Sequence, residues 1–144
     1  MTPTTTAAPT TASPTPTTTE APPPAGGLLI YASVPLYRHG GVLTLEDQAC
    51  NGLRLWAANF GRLVSIMPIV DAPPPPSWIP LSEAGLDPAR IRLEPVPTAY
   101  RPDQFMRHLW ATRRRIRRLI READYLAFGI GGLFGDWGSV ACLE

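Results

Sequence analysis

Apolar residues gather along this chain in four short continuous runs, and two longer stretches between them carry a three-and-four spacing. The first run, residues 28–33 (LLIYAS), is bounded by Gly26, Gly27 and Pro35. A run of that length without polar alternation predicts a strand buried on both faces, as in parallel sheets. Residues 34–41 (VPLYRHGG) follow as a loop with two adjacent glycines. From Thr44 to Phe60 the pattern turns helical. Leu45, Ala49, Leu53, Trp56 and Phe60 make one apolar stripe. Thr44 stands where a capping side chain belongs, Glu46 and Asp47 put acid in the first turn, and Gly61 supplies a stop.

The second run, 63–70 (LVSIMPIV), predicts another strand, and Pro68 inside it argues for a strand end or a sheet edge. The segment DAPPPPSWIP holds four consecutive prolines, Pro73 to Pro76, and reads as an extended surface loop. Residues 91–96 (IRLEPV) alternate as a short third strand. Pro102 and Asp103 open the strongest helix, over 103–123. Phe105, Leu109, Thr112, Ile116, Leu119, Ile120 and Ala123 fall on one of its faces at about 100° per residue. A fourth strand, 125–130 (YLAFGI), runs into a turn rich in glycine (Gly131, Gly132, Gly135, Gly138), and a further apolar segment begins at Ser139. Apolar strands alternating with amphipathic helices predict an α/β fold, a Rossmann-like half with a parallel sheet and crossover helices. The last unit stops at Glu144 with little to pack against, so the half is expected to be incomplete and the chain a truncated piece of a longer protein.

Composition sets the boundaries of that domain. Residues 1–27 (MTPTTTAAPTTASPTPTTTEAPPPAGG) are dominated by Thr, Pro and Ala. They are expected to be a disordered leader, and the folded domain spans 28–144. The leader has no basic start and no apolar stretch, so it is not a secretory signal. No segment reaches the roughly 18–20 apolar residues that a membrane span needs, and a cytoplasmic location is expected. Two cysteines, Cys50 and Cys142, are too few and too far apart for a disulfide framework and read as buried thiols in a reducing compartment. The two histidines, His39 and His108, belong to no cluster with metal-ligand spacing, so neither a metal nor any other cofactor is expected.

A formal net charge of +1 argues against binding nucleic acid through gross charge. The local picture differs. All 13 basic residues are Arg, and eight of them, against one Asp, fall within 101–121. On the long helix Arg107, Arg114, Arg117, Arg118 and Arg121 lie opposite the apolar stripe, with Trp110 among them. An aromatic on a basic face suits a helix resting on an anionic bilayer, with Trp110, Arg114, Arg117, Arg118 and Arg121 facing the headgroups. A merely solvated face, or a nucleic-acid surface, would use the same residue types.

Two glycine clusters are the other candidates for chemistry. Gly40 and Gly41 follow the first strand, where ligands sit in open parallel sheets. They suit either a cradle for a phosphate or sugar diphosphate, or a sharp turn that needs positive φ. Residues 129–135 (GIGGLFG) miss the dinucleotide fingerprint, because the third glycine comes one position late, and no GK[ST] follows for a P-loop. Gly131, Gly132 and Asp136 there either touch a polar acceptor or form a tight turn with Asp136 as the helix cap. His39 can serve as a base or a phosphate contact, or sit idle on a surface loop. Ser33 and Ser65 lack a nucleophile elbow, and no nucleophile–base pair can be named.

With those residues in place, the chain resembles the N-terminal half of GT-B glycosyltransferases of the broad retaining group 4 type. The resemblance covers residues 28–144. It rests on LLIYAS followed by His39-Gly40-Gly41, on a helix carrying Glu46 and ending NGLRLWAANF, on two more strands and a basic helix, and on a fourth strand ending in GIGGLFGDWGSVA. It implies a hexosyltransferase used in polysaccharide biosynthesis, moving a sugar from a nucleotide-sugar to a polysaccharide or lipid-linked acceptor, at the inner face of the cell membrane. Gly40 and Gly41 would approach the donor phosphates, and His39, Gly131, Gly132 and Asp136 would face the acceptor. Such enzymes hold the nucleotide mainly in a C-terminal domain with an E-x7-E region, which these residues do not include, so the chain is expected to be inactive alone. The alternative from a different class is a non-catalytic module that docks on anionic membrane or nucleic acid through the Arg-rich helix 103–122.

Overall fold

The structure, a computed structural model, describes residues 26–129 and 136–144. In chain order these form β1 (Gly27–Tyr31), β2 (Leu36–His39), β3 (Val42–Glu46), α1 (Asp47–Asn59), β4 (Arg62–Val70), β5 (Trp78–Pro80), β6 (Ile91–Pro97), α2 (Pro102–Glu122), β7 (Tyr125–Phe128) and α3 (Trp137–Cys142). Residues 1–25 of the leader lie outside the described residues. Its last residue does not belong to a leader: Gly27 opens β1 and donates its N–H to Asp124 Oδ2 at 2.7 Å.

The four strands read from the apolar runs pair in parallel, in the spatial order β6-β4-β1-β7. This is the 3-2-1-4 order of a Rossmann-like half. The expectation of a wholly parallel sheet is nonetheless corrected, because three further short strands make it seven-stranded and mixed. The segment expected as a loop after β1 is instead β2, which turns back into β3, and β3 pairs with β5. Both of these contacts are antiparallel. Thr44 therefore lies in β3 rather than at a helix cap, and α1 starts three residues later, at Asp47. β5 falls within the proline-rich segment that reads as a loop.

Strand β4 explains how the extra strands attach. Along one edge it pairs with β6 from Leu63 to Ile69. Its other edge is shared: β1 occupies Arg62 to Ile66, and β2 takes over at Ile69 and Val70. Pro68, expected at a strand end or an edge, sits inside this central strand. It has the parity of Ile66, whose carbonyl accepts from the Ala32 N–H at 2.9 Å. The N–H that proline lacks would point into the gap between β1 and β2, so no ladder bond is lost.

The sheet separates two apolar layers. Leu28, Ile30, Leu63 and Met67 face α1, which covers them with Cys50, Leu53 and Ala57. Leu29, Ile66 and Val96 face α2 and α3, which contribute Ile116, Leu119 and Trp137. The alternation follows from the period of two in a strand, and Leu28, Leu29 and Ile30 are all buried, as a doubly covered strand requires. The stripe expected on α2 is the one that packs. On α1 the buried line is Cys50, Leu53 and Ala57, and Trp56 is 45% exposed. Cys142, expected to be buried, is exposed, and both thiols are free.

Helix α2 is fastened to the sheet by charge as well as by packing. The Glu94 side chain, 4% exposed, projects from β6 and pairs with Arg92 and Arg115. Arg115 also donates through Nη1 to the Pro95 carbonyl at 2.7 Å. A buried carboxylate stripped of one of two cationic partners is costly, although the second partner and the partial exposure of Arg115 moderate the loss. Arg115→Met is therefore expected to lower unfolding stability by about 1–3 kcal/mol, read from the denaturant midpoint. An unchanged midpoint would show that this clasp adds nothing.

Candidate functional site

All four parallel strands end at one rim, and open α/β sheets bind their ligands there. Between β4 and β6 that rim carries an open cleft of about 440 Å³. Its floor is Ile69, Pro95 and Pro97 from the strand ends; Arg38 from β2, Asp71, Thr98 and His108 from α2 stand around it. Arg38 reaches the cleft because β2 continues alongside the end of β4. It donates to Asp71 through Nε at 2.6 Å and through Nη2 at 3.0 Å. This two-point pairing fixes the guanidinium plane and leaves the Nη1 donors for another acceptor. The same guanidinium holds the Asp71 carboxyl below the usual carboxylate range. Guanidinium, imidazole, hydroxyl and carboxylate over a proline floor bring hydrogen-bond donors and acceptors of both charge signs to one cleft.

On the neighbouring side of the rim, between β1 and β7, Tyr31 ends its strand beside the start of α3. Asp136 is the N-cap of that helix and accepts from the Gly138 N–H at 3.0 Å and from Ser139 Oγ at 2.8 Å. The Tyr31 phenol is pushed up to about 12, mainly by burial and then by the Asp136 carboxylate, with Tyr100 adding to it. Trp137 anchors the corner: its indole is fully buried, donates to the Pro97 carbonyl at 2.8 Å and stacks on Phe105 at 5.0 Å between centroids. Gly138 permits this closeness, since a Cβ there would lie 2.4 Å from the Gly129 carbonyl oxygen and 2.6 Å from Tyr31 Cδ1.

The residues singled out by sequence do not come together as one site. His39, Gly40 and Gly41 form the tip of the β2–β3 hairpin, with His39 paired to Val42 across a two-residue turn. Gly40 has φ 56° and Gly41 φ 82°, which is the type I′ geometry favoured by glycine. The tip stands about 10 Å beyond Tyr37, the last residue of β2 paired with β4. A strand separates it from α1, so no helix N-terminus backs the two glycines. Gly131 and Gly132 lie outside the described residues. Asp136 takes the capping role that was one of its two readings.

The arginines of α2 divide into two sets. Arg113 and Arg117 pair with the Glu144 carboxylate and hold it below its usual range, Arg113 more strongly. Arg118 lies 4.0 Å from Glu122. Arg107, Arg114 and Arg121 have no ion pair among the described residues. Trp110 is 69% exposed, with the Arg113 guanidinium 5.7 Å from its ring centroid. No described helix is long and apolar enough to cross a membrane.

Arg38, Asp71 and Thr98 escaped the sequence reading, which weighed His108 only as a metal ligand. Asp71 had a usable signal, because it directly follows an apolar strand and so falls on the binding rim. Arg38 did not, because its position depends on β2 being a strand. No family model, curated protein or solved structure matches this chain.

Two outcomes test this corner. Gly138→Ala is expected to destabilise by about 1–3 kcal/mol, because the new methyl overlaps backbone rather than a yielding side chain; a variant as stable as the parent would remove the close approach. Tyr31 is expected to titrate near 12, measured as tyrosinate absorbance, and that step is expected to vanish in Tyr31→Phe. A raised phenol favours the folded state below the ordinary value of 10.0. Stability is therefore expected to fall as pH climbs from 10 towards 12, less so in Tyr31→Phe.

Proposed function

We propose that this chain is the acceptor-side domain of a sugar transferase, contributing the wall against which a polysaccharide or lipid-linked acceptor lies. One observation carries the reading: four parallel strands in 3-2-1-4 order end at a rim whose cleft combines Arg38, Asp71, Thr98 and His108. The resemblance of the sequence to GT-B transferases supplies the reaction, and the rim supplies a place for the acceptor. A glycan suits such a cleft. Its ring faces lie on Pro95 and Pro97, its hydroxyls donate to Asp71, and its oxygens accept from Arg38, His108 and Thr98. The donor nucleotide is assigned to a second domain across from this rim, with the His39-Gly40-Gly41 hairpin tip reaching towards its phosphates.

On this reading the chain binds acceptor but transfers nothing by itself. Titrating the isotope-labelled chain with acidic and neutral oligosaccharides is expected to shift the His108 imidazole and Arg38 Nε resonances. His108→Ala and Thr98→Val are each expected to weaken that binding about three- to tenfold, as loss of one hydrogen bond does. Addition of a UDP- or GDP-sugar with acceptor is expected to give no turnover. Saccharide shifts that bypass the cleft, or turnover by the chain alone, would overturn the assignment.

A further inference from the structure

We propose that the outward face of α2 docks on an anionic lipid bilayer, with the helix lying flat on the headgroups. At about 100° per residue, Met106, Arg107, Trp110, Arg114, Arg117, Arg118 and Arg121 fall within an arc of about 120°. At 1.5 Å per residue, the strip from Met106 to Arg121 is about 23 Å long on a helix of 21 residues. Met106 is 60% exposed and Trp110 69%. Ala111, Arg114, Arg115, Arg117, Arg118 and Arg121 line an open groove of about 620 Å³. Three acidic residues near the strip are each paired with arginine: Asp103 with Arg101 at 3.0 Å, Glu122 with Arg118 at 4.0 Å, and Glu144 with Arg113 and Arg117.

The chemistry of the surface selects its partner. The apolar side of α2 is already committed to the sheet through Thr112, Ile116 and Leu119. The helix therefore cannot roll and sink an apolar face, as free amphipathic helices do. What remains is guanidinium–phosphate contact over a plane, with Trp110 and Met106 entering the headgroup layer. Docking of this kind is electrostatic and shallow, and salt screens it. A nucleic acid offers the same phosphates but leaves Met106 unburied, and a base stacking on Trp110 competes with the Arg113 guanidinium already lying near its ring. The bilayer uses every exposed group on the strip. It also orients the molecule, because His108, on the same helix, lines the rim cleft.

The test is co-sedimentation of the full chain with vesicles of equal parts phosphatidylglycerol and phosphatidylcholine, and with phosphatidylcholine alone. The parent is expected to pellet with the anionic vesicles only, and to be released at high salt. Replacing Arg107, Arg114, Arg118 and Arg121 together by Gln is expected to weaken partitioning at least about tenfold. Arg113, Arg115 and Arg117 are left in place because they hold Glu144 and Glu94. A blue shift of tryptophan emission on the anionic vesicles is expected in the parent and lost in Trp110→Ser. Far-UV dichroism and thermal melts check that each variant is folded. Should the quadruple variant fail to fold, the salt series and Trp110→Ser decide. Equal pelleting with both vesicles, no pelleting of the parent, a variant that pellets like the parent, or tight duplex-oligonucleotide binding without vesicle binding would each overturn the proposal. Vesicle docking is read without any saccharide, so its outcome is separate from that of acceptor binding.

Discussion

The division of one edge of β4 between two strands governs the shape of this molecule. A strand has two hydrogen-bonding edges, and a central strand must satisfy both. On β4 the β6 edge is continuous, whereas the other edge passes from β1 to β2 across a gap. Proline is the one residue whose nitrogen needs no partner at that gap, and Pro68 occupies it. Because β2 then continues where β1 ends, the sheet grows past the ends of its parallel strands. That growth brings Arg38 beside Asp71 and turns a flat rim into a cleft. The same handover carries the hairpin tip with Gly40 and Gly41 away from the strand ends.

Sequence periodicity revealed the scaffold and missed this growth, for physical reasons. β1 and β4 are apolar on both faces and announce themselves as near-continuous runs, whereas β6 is legible by its alternation and β7 as a short apolar run. The inner stripe of α2 is equally legible, since seven positions at helical spacing have no rival reading. β2 and β3, in contrast, are four and five residues long and half exposed, so they carry no apolar run. The signal available was local: two adjacent glycines flanked by Arg38-His39 and Val42-Leu43 fit a two-residue hairpin turn. Thr44 and Glu46 mimicked a capped helix start because strand ends and helix starts share residue types. The cleft was illegible for a further reason. Arg38 and Asp71 are 33 residues apart, and a shared edge rather than a spacing brings them together.

Three settings of arginine are distinguished by what lies opposite the guanidinium. Arg115 faces the sheet and neutralises the buried Glu94, so it holds helix to strand. Arg38 faces the rim and is held planar by Asp71, with donors to spare. Arg107, Arg114 and Arg121 face outward without a carboxylate among the described residues. A planar fork with five donors suits all three settings, which is why composition alone cannot rank them. Placement on the helix circumference separates the structural from the available ones.

Helix α2 therefore couples the two proposed surfaces through rigid geometry. His108 lies on the flank that turns towards the rim, whereas Trp110, two residues on, has rotated by about 200° to the outer face. The helix cannot trade one orientation for the other while Thr112, Ile116 and Leu119 hold it against the sheet. A bilayer touching the outer strip would thus meet a cleft standing at a fixed height and angle, set by one helix diameter of about 10 Å. On those proposals such an arrangement would favour acceptors presented from the surface over acceptors arriving from bulk solvent. An acceptor tethered to lipid samples a layer rather than a volume, so its effective concentration at the rim rises without any new contact. On the two proposals together, the Arg strip would confine the domain to the layer in which the Arg38–Asp71 cleft would meet its ligand.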